Sequence, residues 1–324
     1  MNPPRRPRAG DSHVHAILHR WSLRLSSIVD RRGHVNDRFG EKRAAPTPTS
    51  PNTVTRLYYR ASRLVDKVLF GLRGCFDGLC LGVLNSRITA EIDEAYYHQA
   101  REYLDAAYNR QGLWPWEAQA IERYFNGVQR IAVTSAGGGR EVLALLKAGY
   151  DAVGFEPNKE LRGFGSQLIS ELDPDDRMRP CVRDHWPTDA VGFDAAIVGW
   201  GGYMLIAGRK TRVAFLKGAA ERLPTGAPVL LSFFVREVTN IRFRTVTAVA
   251  GPLRRVLRRE PVEPGDVLVP NLAHYFTRDE IASELEEGGF EVVAFEVDDY
   301  GWAVGRVRNR AHIGTRDRVE RTHD

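Results

Sequence analysis

The chain has 324 residues, of which 43% are hydrophobic, so it can bury one full-sized core, and we expect one large domain with appendages. The formal charge of +5 is concentrated in residues 1–50, which hold ten Arg and Lys against four acids, and the other 274 residues are therefore near −1. This balance argues against nucleic acid as the substrate, because the body lacks the positive excess that draws a domain to a phosphate backbone.

The cysteines and the apolar segments indicate where the chain works. Cys75, Cys80 and Cys181 are too few for a disulfide framework and have no zinc-ligand spacing, which favours a reduced, cytoplasmic setting. No apolar run follows the Pro- and Arg-rich N-terminus, which argues against a secretory signal. Residues 64–84 form the most apolar long stretch, but their four charges and four glycines predict a packed helical pair and no membrane span.

The first 52 residues form a basic tail. Residues 1–11 and 39–52 are rich in Pro, Ser, Thr and Arg and are predicted to be disordered or linker. Between them, apolar residues at helical spacing predict a basic amphipathic helix over 12–30. This helix could dock on a membrane surface or on a protein partner. Alternatively, it is an accessory helix that lies on the domain or an upstream translation extension, and we favour this second interpretation.

The chain from 53 to 308 changes its pattern after Gly127. Residues 53–125 are helical, including 88–109 and 116–125, with Gly112 and Pro115 marking the break between those two. Strands are then predicted at 130–133, 151–155, 179–182, 193–199 and 228–234, separated by helices at 140–148, 159–172 and 209–223. This alternation predicts a parallel sheet covered on both faces, preceded by a helical N-terminal cap over 53–126.

The C-terminal part closes the sheet differently. A helix over 279–287 is followed by strands at 290–295 and 300–308, whose connection is too short for a right-handed crossover. The last pair must therefore be antiparallel. The fold class is α/β, with five parallel strands, a C-terminal antiparallel hairpin and an insertion over 238–271, all within a domain of residues 127–308 that precedes a disordered tail over 309–324.

A glycine-rich turn carries the strongest functional signal. The first strand runs into Ser135, Ala136, Gly137, Gly138 and Gly139, and a helix begins at about residue 140. Glycines here let a ligand approach the backbone, and the helix N-terminus favours a carboxylate or phosphate. Alone this turn is a weak signal. Glu156, which ends the second strand 17 residues beyond Gly139, can accept hydrogen bonds from both ribose hydroxyls of an adenosine.

The stretch VTSAGGGRE at 133–141, together with Glu156, resembles the cofactor site of class I S-adenosylmethionine-dependent methyltransferases. The resemblance covers about residues 112–308 and implies a seven-stranded Rossmann-like sheet whose last strand is antiparallel. It implies cofactor contacts from Ala136, Gly137, Gly138, Gly139, Glu156 and Asp184, the last to the adenine amino group. Residues 112–125 look like the helix that often precedes this core, and 271–296 are similar to the family's C-terminal stretch.

Two positions depart from the family pattern. Val133 stands where an acid is usual, and Ser135 stands where the first glycine is usual. The acid that often supports the methionine amino group is therefore missing. Glu141 is a candidate replacement, although a solvated acid favoured by the helix dipole explains it at least as well.

The methyl acceptor is expected beyond the fourth strand, at Trp200–Tyr203, because ligands of open α/β sheets bind at the carboxyl ends of the strands. No motif for holding planar amino groups follows that strand, and a small-molecule hydroxyl is the expected acceptor. His274 is the candidate general base, with His185 second, although each is more often structural. No ligand cluster predicts a metal.

Four arginines of the insertion are predicted to share one side of a helix: Arg254, Arg255, Arg258 and Arg259. That side is either a solvated basic face or part of a cap over an anionic acceptor.

Three functions remain open from the sequence. The leading hypothesis is S-adenosylmethionine-dependent methyl transfer to a small molecule such as a secondary metabolite or a sugar-like hydroxyl compound. The second is a nicotinamide-dependent oxidoreductase, which fits poorly with the terminal antiparallel pair and the incomplete GxGxxG pattern. The third is a non-catalytic scaffold that keeps the cofactor fold.

Overall fold

The computed structural model describes residues 52–297 and 300–309. These residues belong to two compact units, Met1–Val65 and Asp66–Asp324, and the described part of the first unit is the start of one long helix. The predicted helix over 12–30, most of the N-terminal linker and nearly all of the C-terminal tail lie outside the described residues. Within the described ranges, no helix is long and apolar enough to cross a bilayer.

The helices are numbered in chain order. They are α1 (Thr53–Val83), α2 (Ser86–Gln99), α3 (Ala106–Asn109), α4 (Pro115–Tyr124), α5 (Arg140–Lys147), α6 (Lys159–Ser170), α7 (Arg209–Arg222), α8 (Ile241–Val256) and α9 (Arg278–Glu287). Short 3-10 turns occupy Arg101–Leu104 and Gly202–Leu205.

The main sheet has seven strands. They are β1 (Arg130–Thr134), β2 (Asp151–Phe155), β3 (Met178–Arg179), β4 (Ala195–Val198), β5 (Pro228–Phe233), β8 (Phe290–Val297) and β9 (Gly301–Val307), while β6 (Asp266–Leu268) and β7 (Leu272–His274) form a separate hairpin.

The strand order confirms the predicted α/β fold. The sheet runs β3-β2-β1-β4-β5-β9-β8, with β1 to β5 mutually parallel and β9 antiparallel to both of its neighbours. The central strands are buried along almost their whole length because helices cover both faces, which explains their continuous apolar sequences. The order reverses between β1 and β4, and a crevice opens at such a reversal beyond the carboxyl ends of the strands.

Three predictions of secondary structure were wrong. The packed helical pair predicted over 64–84 is a single helix, since α1 continues without a break to Val83. The third strand, predicted at 179–182, is only Met178–Arg179, since Pro180 cannot donate to a strand ladder. The single helix predicted over 88–109 is broken at Ala100, whose backbone is not helical, and α3 starts again after Asp105. The Asp105 carboxylate accepts a hydrogen bond from the Ala107 amide at 2.7 Å, and such a side chain favours a new helix start over continuation.

The predicted insertion over 238–271 contains α8 and β6 and ends just before β7, but its arginines do not share one helical side. Helix α8 ends at Val256, and Arg258 has a left-handed backbone (φ 51°). Arg254 donates to the Leu81 carbonyl at 2.8 Å and Arg259 donates to the Val83 carbonyl at 2.6 Å. These two arginines therefore satisfy carbonyl groups that the last turn of α1 leaves unpaired, a structural role that requires no anionic acceptor.

Candidate active site

The turn between β1 and α5 has an alternating left-handed backbone. Ser135, Gly137 and Gly139 have φ values of 52°, 54° and 87°. Glycine adopts this conformation freely, whereas serine is strained in it. Ser135 lies against the turn after β4, because a Cβ on Gly199 would stand 2.3 Å from the Ser135 carbonyl oxygen. The turns after β1 and β4 therefore meet where the strand order reverses.

The three consecutive glycines have different surroundings. A Cβ on Gly137 would meet no atom within 4 Å, whereas one on Gly138 would stand 2.3 Å from the Tyr103 carbonyl oxygen. A Cβ on Gly139 would stand 2.9 Å from the Ile169 side chain. Gly137 thus faces open space that a ligand could occupy, while Gly138 and Gly139 allow close packing within the protein. The preceding residue, Ala136, is buried.

Glu156 lies beside this turn, as the sequence predicts. Its carboxylate is buried and accepts hydrogen bonds from the Gly137 and Asn158 amides, each at 2.8 Å. Burial raises the pKa of Glu156, and the two amides act in the opposite direction. Each carboxylate oxygen keeps a free lone pair for a further donor.

Asp184 lies in the loop after β3, with a left-handed backbone (φ 61°), and is partly buried. Burial raises its pKa. It lines a cavity of about 620 Å³, together with Cys181, Trp186 and residues of α7. Burial also raises the pKa of Cys181 to about 12, so its thiol stays protonated at neutral pH. The neighbouring His185 is exposed and contacts the Arg183 carbonyl at 2.8 Å.

A buried ion-pair network joins the helices before the sheet to the glycine turn, and sequence reasoning missed it. Two guanidinium nitrogens of Arg140 each donate to a different Glu117 oxygen at 2.7 Å, and the Arg140 guanidinium stacks over the Trp114 ring at 4.8 Å. Burial raises the pKa of Glu117 to about 7, while its bonds from Arg140 lower it. An arginine in the first turn of a helix opposes the helix dipole, and that mismatch was the available signal for a buried partner.

Glu141, the candidate partner of a cofactor amino group, is buried in the same network. Its Oε1 accepts hydrogen bonds from Arg140 at 2.7 Å and from the Trp200 amide at 3.0 Å. Glu141 therefore bridges the first turn of α5 and the turn after β4, and it is not the solvated acid of the alternative interpretation.

A second unpredicted carboxylate, Asp93 on α2, is also buried. It accepts hydrogen bonds from Arg183, in the loop after β3, and from the Asn271 side chain, in the β6–β7 hairpin. Helix α2 is therefore attached to the loop after β3 and to the turn of the β6–β7 hairpin. The loop after β3 lies at the carboxyl ends of the parallel strands, where ligands of such sheets bind.

Aromatic side chains gather beyond the ends of β4 and β5. Ring centroids are 5.3 Å apart between Trp200 and Tyr300, 6.3 Å between Trp200 and Phe234, and 5.0 Å between Phe234 and Tyr275. Burial raises the pKa of Tyr275 to about 12, so its hydroxyl stays protonated at neutral pH. Four distant chain segments thus form one partly buried aromatic cluster at the end of the sheet where the acceptor was predicted.

His274, the predicted base, is 2% exposed and belongs to a buried polar network. Its Nδ1 is 2.7 Å from Asp266 Oδ1, and its Nε2 has no hydrogen-bond partner among the described residues. Glu263 lies 3.8 Å from the same Nδ1 and pairs with Arg212 at 2.7 Å. These ligand atoms of Glu263, Asp266 and His274 are close enough together to hold a metal, a grouping the sequence did not predict, but Arg212 already supplies positive charge there.

Among known proteins, the chain is similar only to solved structures. No family model and no curated protein matches the chain. Among solved structures, it is similar to an S-adenosylmethionine-dependent methyltransferase from Methanosarcina mazei, with 19% identity over 61% of this chain and 99% of that chain and a TM-score of 0.47. It is also similar to 1,6-didemethyltoxoflavin-N1-methyltransferase from Burkholderia thailandensis, solved with 1,6-didemethyltoxoflavin and S-adenosylhomocysteine (15% identity, 70% and 92% coverage, TM-score 0.48).

A third similar structure is the CcbJ methyltransferase from Streptomyces caelestis, with 12% identity over 60% of this chain and 89% of that chain and a TM-score of 0.44. All three are named methyltransferases. At these identities and scores the similarity carries no conclusion about the activity of this chain, which depends on its own strand order and site residues.

Proposed function

We propose that this chain binds S-adenosylmethionine and transfers its methyl group to a small molecule. The observation that carries the proposal is the pairing of Glu156 with Gly137 at the reversal of strand order. A buried carboxylate at the end of β2 stands one hydrogen bond, 2.8 Å, from a glycine turn that faces open space. An adenosine ribose offers two hydroxyl donors that match the free lone pairs of that carboxylate.

The residues around the turn fit this cofactor. Thr134 ends β1 with a buried hydroxyl that has no hydrogen-bond partner among the described residues. The N-terminus of α5 directs its amides and positive dipole end at the turn, which suits the carboxylate of a methionine moiety. Asp184 would accept a hydrogen bond from the adenine amino group, and Ala136 to Gly139 would provide backbone contacts. Glu141 would support the amino group of the methionine moiety. When bound, the cofactor supplies an electrophilic methyl group on its sulfonium sulfur.

The acceptor that we propose is a hydroxyl compound with an apolar body. The aromatic cluster of Trp200, Phe234, Tyr275 and Tyr300 supports an acceptor with an apolar ring or chain, since apolar groups pack favourably against aromatic side chains. His274 would take the hydroxyl proton at Nε2, because Asp266 holds its Nδ1 and so orients the ring. The protein's main contribution to the reaction would be alignment of the acceptor oxygen with the methyl carbon.

Calorimetry with S-adenosylmethionine and S-adenosylhomocysteine tests the cofactor. We expect binding, and we expect Glu156→Gln to weaken it by roughly tenfold to 100-fold, as the loss of hydrogen bonds to a charged group does. The control is Glu160→Gln, because Glu160 lies four residues away, is exposed and pairs with the exposed His98 at 2.9 Å. Absence of binding, or binding of NADH in its place, would contradict the proposal.

Transfer of labelled methyl groups to a panel of phenols and other small hydroxyl compounds tests the reaction. His274→Gln should lower kcat by about 100-fold or more if His274 is the base, because glutamine cannot take the hydroxyl proton. Unchanged kcat would assign the His274–Asp266 pair to folding alone. Cofactor binding without transfer to any compound would instead support the non-catalytic scaffold.

A further inference from the structure

Helix α1 exposes an unusual amount of apolar surface. Among the described residues, twelve of the twenty-one exposed large apolar side chains belong to this one helix. Its part within Asp66–Asp324 exposes six of them, each three or four residues from another of the six, which is the spacing of one side of a helix. They are Val68, Leu69, Leu72, Phe76, Leu79 and Val83.

This apolar side is not the side that packs on the protein. Helix α1 meets α8 through three glycines, Gly74, Gly78 and Gly82, whose absent Cβ atoms would stand within 3 Å of α8 atoms. Leu72, Phe76 and Leu79 are each more than half exposed although they lie close to these glycines in the sequence. The glycine side of α1 therefore packs against α8, and the larger apolar side chains of α1 are exposed.

The N-terminal part of the helix, within Met1–Val65, is amphipathic in the same sense. It exposes Val54, Leu57, Tyr58, Leu64 and Val65 on one side, and Tyr59 is exposed away from that side. Its exposed charges, Arg56, Arg60 and Arg63, recur at spacings of four and three on the opposite side. Asp66 is the single acid among residues 53–67. An apolar side backed by charges of one sign is typical of helices that lie in the interface of an anionic membrane.

We propose that α1 lies on an anionic lipid bilayer, with its apolar side inserted at the headgroup boundary and its basic row attracted by the lipid charge. The charge of the chain selects this occupant over a second copy. Residues 1–67 hold fourteen Arg and Lys against five acids, so a second copy would bring two strongly positive segments together, whereas the negative charge of phosphatidylserine complements one of them. The segment that leads into α1 adds to the complementarity, since residues 1–50 have a formal excess of six positive charges.

Co-sedimentation of the full chain with vesicles tests this proposal. We expect binding to mixed phosphatidylcholine and phosphatidylserine vesicles, little binding to pure phosphatidylcholine, and release at high salt. The double variant Leu69→Glu/Phe76→Glu should lower the vesicle affinity by roughly 100-fold, because it removes two inserted side chains and adds two negative charges. Both residues are exposed, so the fold is expected to persist, and circular dichroism checks this.

The matched control is Leu172→Glu/Val191→Glu, which places the same two charges at half-exposed apolar residues outside α1 and should leave vesicle binding unchanged. Equal binding to neutral and anionic vesicles, or no effect of the double variant, would overturn the proposal. So would analytical ultracentrifugation that shows a dimer lost in the double variant without any vesicle binding, since a second copy would then cover α1. Calorimetry with S-adenosylhomocysteine on the same samples reports separately on the proposed cofactor site.

Discussion

The proposed cofactor end and the proposed acceptor end of the sheet are built differently. The glycine turn and Glu156 come from one stretch, residues 130–156, and meet through backbone amides. At the acceptor end, Trp200 and Tyr300 touch across 100 residues of sequence, and their contacts are between side chains. The first arrangement follows from one β-α-β unit, whereas the second depends on the completed fold. A fold of this kind can therefore keep its cofactor site while its acceptor surface varies.

Each end is held by one buried arginine. Arg140 joins Glu117 of α4 to the first turn of α5, next to the glycine turn. Arg212 of α7 joins Glu284 of α9 to Glu263, which leads into the β6–β7 hairpin, and Tyr203 donates to the same Glu284 at 2.6 Å. Both arginines are 3% exposed or less. If the two ends are independent, replacing either arginine should lower the free energy of unfolding by a similar amount. Only the replacement of Arg140 should weaken cofactor binding.

The largest expected effect comes from removing either arginine. Arg212→Met and Arg140→Met should each lower the free energy of unfolding by about 3–5 kcal/mol, since each leaves a buried carboxylate uncompensated. In urea denaturation, Arg222→Met is the control, because Arg222 lies on the same helix as Arg212 in a long 3.8 Å surface pair and should cost less than about 1 kcal/mol.

Calorimetry on the folded fraction then separates the two ends. Arg140→Met should weaken binding of S-adenosylhomocysteine because the turn loses its anchor, and Arg212→Met should leave the affinity unchanged. Equal losses of affinity in the two variants would show that the ends are one cooperative unit and would break the comparison.

The same difference explains how far sequence reasoning reached. Glu156 was found because a strand end and a glycine turn are local patterns, and the sheet was found because its strands and helices alternate. The contact of Asp93 with Arg183 spans 90 residues and that of Arg140 with Glu117 spans 23, and neither pairing leaves a periodic signal. The arginines at 254–259 were misplaced because helical spacing was extended beyond Val256, where the chain turns.

A pair of alanine substitutions sharpens the comparison within the cofactor end. Gly138→Ala places a Cβ against the Tyr103 carbonyl and should lower the free energy of unfolding by about 1–3 kcal/mol through overpacking. Gly137→Ala meets no atom but strains a left-handed residue, at about 1–2 kcal/mol, and intrudes on the proposed ligand space. Calorimetry should show the greater loss of cofactor affinity for Gly137→Ala. The reverse order would place the ligand on the Tyr103 side of the turn.

A smaller effect is expected from pH at Glu156. Because burial raises its folded pKa above the ordinary 4.5, its contribution to stability is fully present below pH 4.5 and is lost as pH rises through the folded value. Cofactor affinity should change in the opposite direction, since ribose donors need the ionised carboxylate. Glu156→Gln should remove both dependences in thermal unfolding and calorimetry, and an unchanged slope would assign the pH dependence to another group.

The smallest expected effect concerns strain. Three described residues other than glycine have a left-handed backbone, and two of them, Ser135 and Asp184, are at the proposed cofactor end. Such strain often marks ligand sites. Ser135→Gly should raise the free energy of unfolding by about 0.5–1 kcal/mol, since relief of strain exceeds the added entropy of the unfolded chain. Arg258→Gly, far along the chain at φ 51°, is the control for stability alone. A fall in cofactor affinity for Ser135→Gly, with none for Arg258→Gly, would show that the strained serine orders the turn for its ligand, whereas unchanged affinity would leave Ser135 as a tolerated replacement for glycine.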